Sequence, residues 1–285
     1  MSPALAQRRP AAPAASGRTA GTMRILFIAD VVGKPGRQIV RRFLSERGAQ
    51  DYDLVIANGE NLADGKGLTP ETAREMFAAG VHVLTGGNHI WRKKEVMSII
   101  DDERIVRPAN YSPAASAPGR GWTILPAANG HPVAVINLLG RTYMNHHDDP
   151  FACAEELVDR LRPQTPRIIV DFHAEATSEK LAMARLLDGR VSAVIGTHTH
   201  VATADEQVSA NGTASITDAG MTGPYDSVLG IKTALALRQL RSEMPVRHEI
   251  ATGDVRLAGV DIELDTLSGR ALSIRRVLQG AAIEG

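Results

Sequence analysis

The sequence contains a single cysteine and no excess of charge of either sign. One cysteine, Cys153, rules out an internal disulfide and is typical of a reducing compartment, which predicts a cytoplasmic protein. Its place in an amphipathic helix indicates a packed thiol rather than a nucleophile. Lysine plus arginine number 32 and aspartate plus glutamate also number 32, so no overall positive field would recruit duplex nucleic acid or a membrane. The sequence also lacks an apolar run of about 18 residues, the length that a membrane-spanning helix needs.

The length of 285 residues permits a full hydrophobic core and predicts one large domain over residues 23–285. Residues 1–22 are rich in alanine, proline and arginine and contain no acidic residue, so we expect a disordered N-terminal tail. The tail has no apolar segment of the kind found in a secretion signal. Met23 opens the first predicted strand directly, so a translation start there would remove the tail.

Predicted strands and helices alternate from Met23 onward, which indicates an α/β fold with helices outside the sheets. The predicted strands of the alternating part are 24–29, 54–57, 81–84, a short one near 105, 122–125, 133–138, 167–170 and 191–195, and the predicted helices are 37–47, 70–79, 93–100, 151–161 and 178–187. Beyond them, segments 206–208, 213–217, 255–264 and 271–277 predict an antiparallel sheet that the glycine loop 218–224 interrupts.

Side chains with metal-binding atoms follow five of these strands, at the point where each strand ends. In open α/β sheets the carboxyl ends of the strands line one edge, where ligands bind. One aspartate after a strand is usually a turn former or a helix cap, but five such positions together predict a metal site. The candidate ligands are Asp30, Glu60 with Asn61, Asn88 with His89, His173, and His198 with His200.

This ligand set suits two divalent ions better than one. It combines carboxylates, amide oxygens and imidazoles, and no thiolate of the kind that structural zinc sites prefer is near. Paired metals clamp the attacking and leaving oxygens of an in-line displacement and generate a nucleophile from water near neutral pH. Phosphoester hydrolysis is therefore the expected chemistry.

The order of these motifs resembles that of the calcineurin-like metallophosphoesterases. Two departures narrow the resemblance: Val32 stands where the usual first motif has a histidine, and Glu60 stands where the second has an aspartate. With these departures the chain is similar to the YmdB-like branch of bacterial phosphodiesterases, from about Met23 to the C-terminus. The motifs that carry the similarity are Ile28-Ala29-Asp30-Val31-Val32-Gly33, Ala57-Asn58-Gly59-Glu60-Asn61, Gly196-Thr197-His198-Thr199-His200-Val201 and the segment from Thr217 to Ser227.

The resemblance implies a four-layer α/β/β/α sandwich with the metals at the strand ends. It implies one ion held by Asp30, Glu60, Asn61 and His200, and a second held by Glu60, Asn88, His173 and His198. Glu60 would bridge the two ions, Asn61 would supply the ligand that Val32 cannot, and the metals would be iron or manganese.

The implied reaction is attack of a metal-bridging hydroxide on phosphorus, with His89 as proton donor to the leaving oxygen. The expected substrates are small nucleotide phosphodiesters, above all 2',3'-cyclic nucleotides. Self-association into a homo-oligomer is compatible with the sequence.

Five other histidines and one glycine-rich segment carry weaker predictions. We expect His82 to be packed in a strand, His131 to lie in a hairpin turn and His248 in a late strand. His146 and His147 are expected in a solvated loop, with a place at the mouth of the pocket as the alternative. The segment from Met221 to Asp226 is a candidate substrate contact, because small residues let a backbone approach a ligand.

Two other functions are compatible with the same motifs. The first is a regulatory protein that senses a nucleotide in the same metal cleft with little turnover. The second is an amidohydrolase that uses the His-x-His pair, but in those enzymes the motif normally follows the first strand, whereas here it begins at His198.

Overall fold

The computed structural model describes residues 21–145 and 147–280, so most of the predicted tail, residues 1–20, lies outside the described residues. The strands are β1 (Thr22–Ile28), β2 (Asp30–Val31), β3 (Leu54–Asn58), β4 (Val83–Thr85), β5 (Ile105–Val106), β6 (Trp122–Pro126), β7 (Pro132–Leu139), β8 (Ile168–His173), β9 (Ala193–Thr197), β10 (Gln207–Val208), β11 (Ala214–Ile216), β12 (Met221–Pro224), β13 (Val255–Asp265) and β14 (Ala271–Gly280). The α-helices are α1 (Gly33–Arg47), α2 (Pro70–Ala78), α3 (Pro150–Leu161), α4 (Thr177–Leu186) and α5 (Thr233–Ser242).

The strands form two mixed sheets. The first sheet has the order β2-β12-β13-β1-β3-β4-β5, with β14 paired to β13, and the second has the order β10-β11-β9-β8-β7-β6. The strands β1, β3, β4 and β5 run parallel to one another, as do β7, β8, β9 and β11. Each sheet therefore has a set of parallel carboxyl ends, and the α/β class predicted from the sequence is confirmed.

Local sequence signals explain where two helices begin. Thr69 and Thr72 bond to each other's backbone N–H groups in a capping box ahead of Pro70, the predicted first residue of α2. At α3 the carboxylate of Asp149 accepts a hydrogen bond of 2.9 Å from the backbone N–H of Phe151. Both helices thus start where side chains satisfy N–H groups that have no partner within the helix.

Three hydrophobic clusters hold the elements together. The first contains side chains from both sheets, such as Phe27 of β1 and Ile169 of β8, which are both fully buried. The second joins the first sheet to α1 and α2, and the third joins the second sheet to α3 and α4. Cys153 packs at the edge of the third cluster, and its burial raises the thiol pKa to about 11. This surrounding agrees with a structural thiol.

Three predictions about the secondary structure were wrong in part. The segments after 206 do not form one antiparallel sheet, because β11 pairs in parallel with β9 in the second sheet while β13 and β14 extend the first. The predicted helix 93–100 is a single 3-10 turn over Lys94–Ser98, and no side chain caps its N-terminus. The glycine loop contains strand β12, and α5 was not predicted.

None of the helices in the described part of the chain is both long and apolar enough to cross a membrane.

Candidate metal centre

Polar side chains from both sheets meet at the carboxyl ends of five parallel strands. All the residues predicted as ligands or as the proton donor lie there. Asp30 follows β1, Glu60 and Asn61 follow β3, Asn88 and His89 follow β4, His173 is the last residue of β8, and His198 and His200 follow β9.

Glu60 is the central side chain of this group and is 1% exposed. Its Oε1 lies 3.0 Å from Asn61 Nδ2 and 3.2 Å from His89 Nδ1. Its Oε2 lies 3.2 Å from His173 Nε2 and accepts a hydrogen bond of 3.0 Å from the backbone N–H of His89. The two oxygens thus face different neighbours, so one carboxylate can serve two positive centres.

Asp30, Asn61 and His200 form the group on one side of Glu60. Asp30 Oδ1 lies 3.6 Å from His200 Nε2 and 3.4 Å from Asn61 Nδ2, which is itself 3.2 Å from His200 Nε2. Asp30 Oδ2 accepts a hydrogen bond of 3.1 Å from the backbone N–H of His198. Asp30, Glu60 and His200 are therefore close enough to share a centre.

His173, Asn88 and His198 form the group on the other side of Glu60. His173 Nε2 lies 3.0 Å from Asn88 Oδ1 and 3.1 Å from His198 Nδ1. Ligand atoms of Glu60, His173 and His198 all lie within 4.8 Å of one another. A small cation between them would meet an oxygen and two ring nitrogens, a combination that suits transition metals.

Neighbouring polar groups orient each of the three imidazoles. Thr197 Oγ1 donates to Asp171 at 2.7 Å and lies 2.9 Å from His173 Nδ1, so that Nε2 faces Glu60. His198 Nε2 lies 3.1 Å from Glu175, which leaves Nδ1 for the centre. His200 Nδ1 lies 3.2 Å from the carbonyl of Leu229. Such contacts fix ring orientation and tautomer in metal sites.

The backbone around the centre is shaped for close approach. His198 and His200 have φ angles of 102° and 64°, in a region that costs free energy for residues other than glycine. At Gly87, an added Cβ would overlap Glu60 Oε2 and His173 Nε2. Any side chain at this position would therefore fill the space between the candidate ligands.

The pKa values show that the carboxylates and imidazoles of the centre interact strongly with one another. Burial raises the pKa of Glu60, but the charge of His173 and hydrogen bonds from His173 and His89 outweigh burial and hold it well below its ordinary value. Burial lowers the pKa of His173, but the Glu60 carboxylate raises it to about 9. Burial and the neighbouring His173 lower the pKa of His198 to about 4. The buried carboxylates of Asp30 and Glu60 thus need a compensating positive charge nearby.

These residues fit a pair of divalent cations. The donors are carboxylate oxygens, the amide oxygen of Asn88 and imidazole nitrogens, which such ions accept, and no thiolate occurs among them. Asn61 turns its Nδ2 toward Asp30 and His200, so its Oδ1 faces an ion there once the amide is flipped. Gly87 keeps the centre open, and Glu60 faces both groups of ligands.

A buried ion pair that the sequence did not reveal supports the His-x-His segment. Lys180 of α4 lies 2.8 Å from Asp218, and their side chains are 3% and 2% exposed. The same Asp218 carboxylate accepts hydrogen bonds from the backbone N–H and the hydroxyl of Thr199, at 3.0 and 2.8 Å. Because Thr199 stands between the two histidines, the ion pair helps to hold both. A helix lysine gives no sequence signal of burial, so only the contact identifies it.

Most of the weaker histidine predictions can be judged. His82 is half-buried and accepts a hydrogen bond of 2.9 Å from the backbone N–H of Val55, as expected for a packed residue, but it lies just before β4 and not within the strand. His131 follows the turn between β6 and β7, as predicted. His146 lies outside the described residues, and the ring of His147 packs edge-on against Tyr111 rather than in solvent.

Two weaker predictions were wrong. His248 is not in a strand but in an extended segment that lines the cavity over the centre. Residues 221–224 form the buried strand β12, and among the described residues that line this cavity none comes from 221–226.

Gly87→Ala tests the space at the centre. The added methyl group overlaps Glu60 and His173, so we expect the variant to remain folded and to lose most of its capacity for divalent ions. Titration calorimetry with Mn²⁺, together with metal analysis of protein purified without chelator, measures this. Gly280→Ala is the control, because no atom lies within 4 Å of its Cβ position. Unchanged Mn²⁺ stoichiometry in Gly87→Ala would show that the centre lies elsewhere.

Lys180→Met tests the buried ion pair. Removal of one buried partner leaves Asp218 uncompensated, so we expect a loss of about 3–5 kcal/mol in the free energy of unfolding. Lys232→Met is the matched control, because its ion pair with Glu249 is exposed and screened by solvent, so its loss should change the free energy of unfolding little. Urea denaturation of both variants gives the two values, and equal losses would contradict the role assigned to Lys180.

Comparison with known proteins places these features in a family. A family model described as YmdB-like protein matches residues 26–277. The chain is 48% identical over 258 residues to the 2',3'-cyclic-nucleotide 2'-phosphodiesterase of Bacillus subtilis (strain 168), covering 90% of this chain and 97% of that protein.

Two solved structures share the fold. A hypothetical protein from Thermus thermophilus has a TM-score of 0.85 and 40% identity, covering 90% of this chain and 99% of that one. A novel phosphatase from Mycoplasma pneumoniae has a TM-score of 0.84 and 33% identity, covering 91% of this chain and 94% of that one. The motifs, the geometry at the strand ends and these similarities agree, and the chain belongs to the family of YmdB-like proteins.

Proposed function

We propose that this protein is a metal-dependent phosphodiesterase that hydrolyses small nucleotide phosphodiesters, with 2',3'-cyclic nucleotides as its substrates. The observation that carries the proposal is the meeting of seven predicted ligands from five strands around the buried Glu60 carboxylate. The similarity to a relative named as a 2',3'-cyclic-nucleotide 2'-phosphodiesterase supports the choice of substrate.

The proposal includes the four-layer α/β/β/α sandwich of calcineurin-like metallophosphoesterases. Its support is the order of the three hydrophobic clusters, with one between the sheets and one between each sheet and its helices. The cytoplasmic location, the disordered tail and self-association stay predictions from the sequence.

Two ions would occupy the two sides of Glu60. Asp30, Glu60, Asn61 and His200 would hold one, and Glu60, Asn88, His173 and His198 the other. Iron or manganese matches these oxygen and nitrogen donors. Such ions supply positive charge to the phosphate and a nucleophile from water near neutral pH.

The protein's own groups supply the remaining chemistry. Glu60 and Asp30 keep their negative charge in a buried setting, which fixes where positive charge is held. His89 lines the cavity, and its Nδ1 lies 2.9 Å from Asn61 Oδ1 and 3.2 Å from Glu60 Oε1. When protonated, His89 can keep these contacts through Nδ1–H and transfer the proton of its other ring nitrogen to the leaving oxygen.

Glu60→Gln tests the proposed centre. The change keeps the shape of the side chain and removes the charge shared by both ligand groups, so turnover of bis-p-nitrophenyl phosphate should fall by more than about a hundredfold. Glu46→Gln, an exposed carboxylate on α1, is the control and should leave turnover unchanged. Equal turnover in Glu60→Gln and the unaltered protein would exclude the centre. Tight binding of a cyclic nucleotide without product would instead favour a nucleotide sensor.

His89→Asn tests the proton donor through the leaving group. The alkoxide released from a 2',3'-cyclic nucleotide needs a proton, so kcat for this substrate should fall by about 10²–10⁴. The p-nitrophenolate released from bis-p-nitrophenyl phosphate is stable without one, so its kcat should fall much less. Equal losses for both substrates would show that His89 acts in another way.

A further inference from the structure

The cavity over the centre is larger than phosphate chemistry requires. Its volume is about 790 Å³, and of the candidate metal ligands only Glu60, Asn61, His198 and His200 line it. Pockets of this size hold molecules of nucleotide dimensions or more. The other lining residues therefore decide what else of the substrate is bound.

Residues 229–250, which we call the distal wall, supply seven of the residues that line the cavity. Isolated β-bridges pair Val228 with Ile231 and Ile231 with Ile250, so the two ends of the segment lie side by side. Helix α5 lies between these ends in the chain. The carbonyl of Leu229 contacts His200 Nδ1 at 3.2 Å. The distal wall is thus connected directly to one of the candidate ligands.

The distal wall presents apolar side chains to the cavity and charged ones to solvent. Val246, His248 and Ile250 face the cavity, while the intervening Arg247 and Glu249 are exposed. Leu229 is 49% exposed although its side chain is apolar. Together with Leu229, Ile231 and Pro245, these side chains form a largely apolar surface, which is unusual beside so polar a centre.

Two polar side chains interrupt this surface. They are Gln239 of α5 and His248, the only polar residues among the described cavity-lining residues of the distal wall, and Gln239 Oε1 bonds to His248 Nε2. With that bond made, the Gln239 amide still has N–H donors and His248 Nδ1 is an acceptor. The pair therefore offers a donor and an acceptor to a ligand.

We propose that the distal wall is the subsite for the nucleobase of the substrate. A nucleobase has apolar faces and a polar edge, which match the apolar side chains and the Gln239–His248 pair. This inference rests on the proposed phosphodiesterase function and adds that the base, besides the phosphate, is recognised. Val246 and Gln239 are its specificity-determining residues.

The test compares a nucleotide with its base-free counterpart. The substrates are 2',3'-cyclic AMP and 1-O-methylribofuranose 2,3-cyclic phosphate. We expect kcat/KM for the nucleotide to exceed that for the base-free compound. In Gln239→Leu and Val246→Asn this ratio should fall about five- to tenfold through KM, while the base-free reaction stays unchanged.

Arg238→Leu is the matched control, because Arg238 is exposed on the same helix and should leave the ratio unchanged. An equal kcat/KM for both substrates in the unaltered protein, or an equal loss of kcat/KM for both substrates in the variants, would overturn the base subsite. Absence of turnover for both substrates would refute the proposed function instead. In that case, calorimetry with adenosine 3'-monophosphate and ribose 3-phosphate tests the subsite. Variants that bind both compounds with the same affinities as the unaltered protein would overturn the base subsite.

Discussion

The carboxylate of Asp171 joins the two sheets directly beneath the candidate metal centre. It is fully buried in β8 and accepts hydrogen bonds from Asn58 of β3 and Thr197 of β9, with Thr85 of β4 as a third donor. Burial raises its pKa to about 6. Because the Thr197 hydroxyl also contacts His173, the bonds that fix one sheet against the other also orient a candidate ligand. The alignment of ligands from both sheets depends on this junction.

The centre is built at a cost in stability that the rest of the fold offsets. Asp30 and Glu60 are buried near each other, and His198 and His200 have positive φ angles. Strain and like charges of this kind persist only where the surroundings hold them in place. Three hydrophobic clusters and the Lys180–Asp218 ion pair supply that support. Gly87 adds the necessary space, since a larger residue would occupy the position between the ligands.

The sequence predicted the part of the fold in which local pattern and tertiary contacts agree. Strands such as β3 and β9 were recognisable because they are short apolar runs that end at a polar motif. The later strands were harder, because alternation shows that β11 or β13 is a strand but not which sheet it joins. Helix α5 is as amphipathic as α2, but no capping side chain and no acidic residue mark its first turn, so its start gave no sequence signal. His248 was predicted in a strand for a related reason, because the local pattern does not show that its segment lines the cavity.

The sequence by itself determined which groups carry the chemistry: the carboxylate, amide and imidazole side chains at the ends of five strands, in an order typical of one family. Only the tertiary structure decided that Glu60 faces both ligand groups, that Asp171, Glu175 and Lys180 support the histidines, and that residues 229–250 line the cavity. The physical reason is that strand ends follow from local apolar patterns. Contacts between side chains more than a hundred residues apart, such as Asn58 and Asp171, exist only once the two sheets have packed.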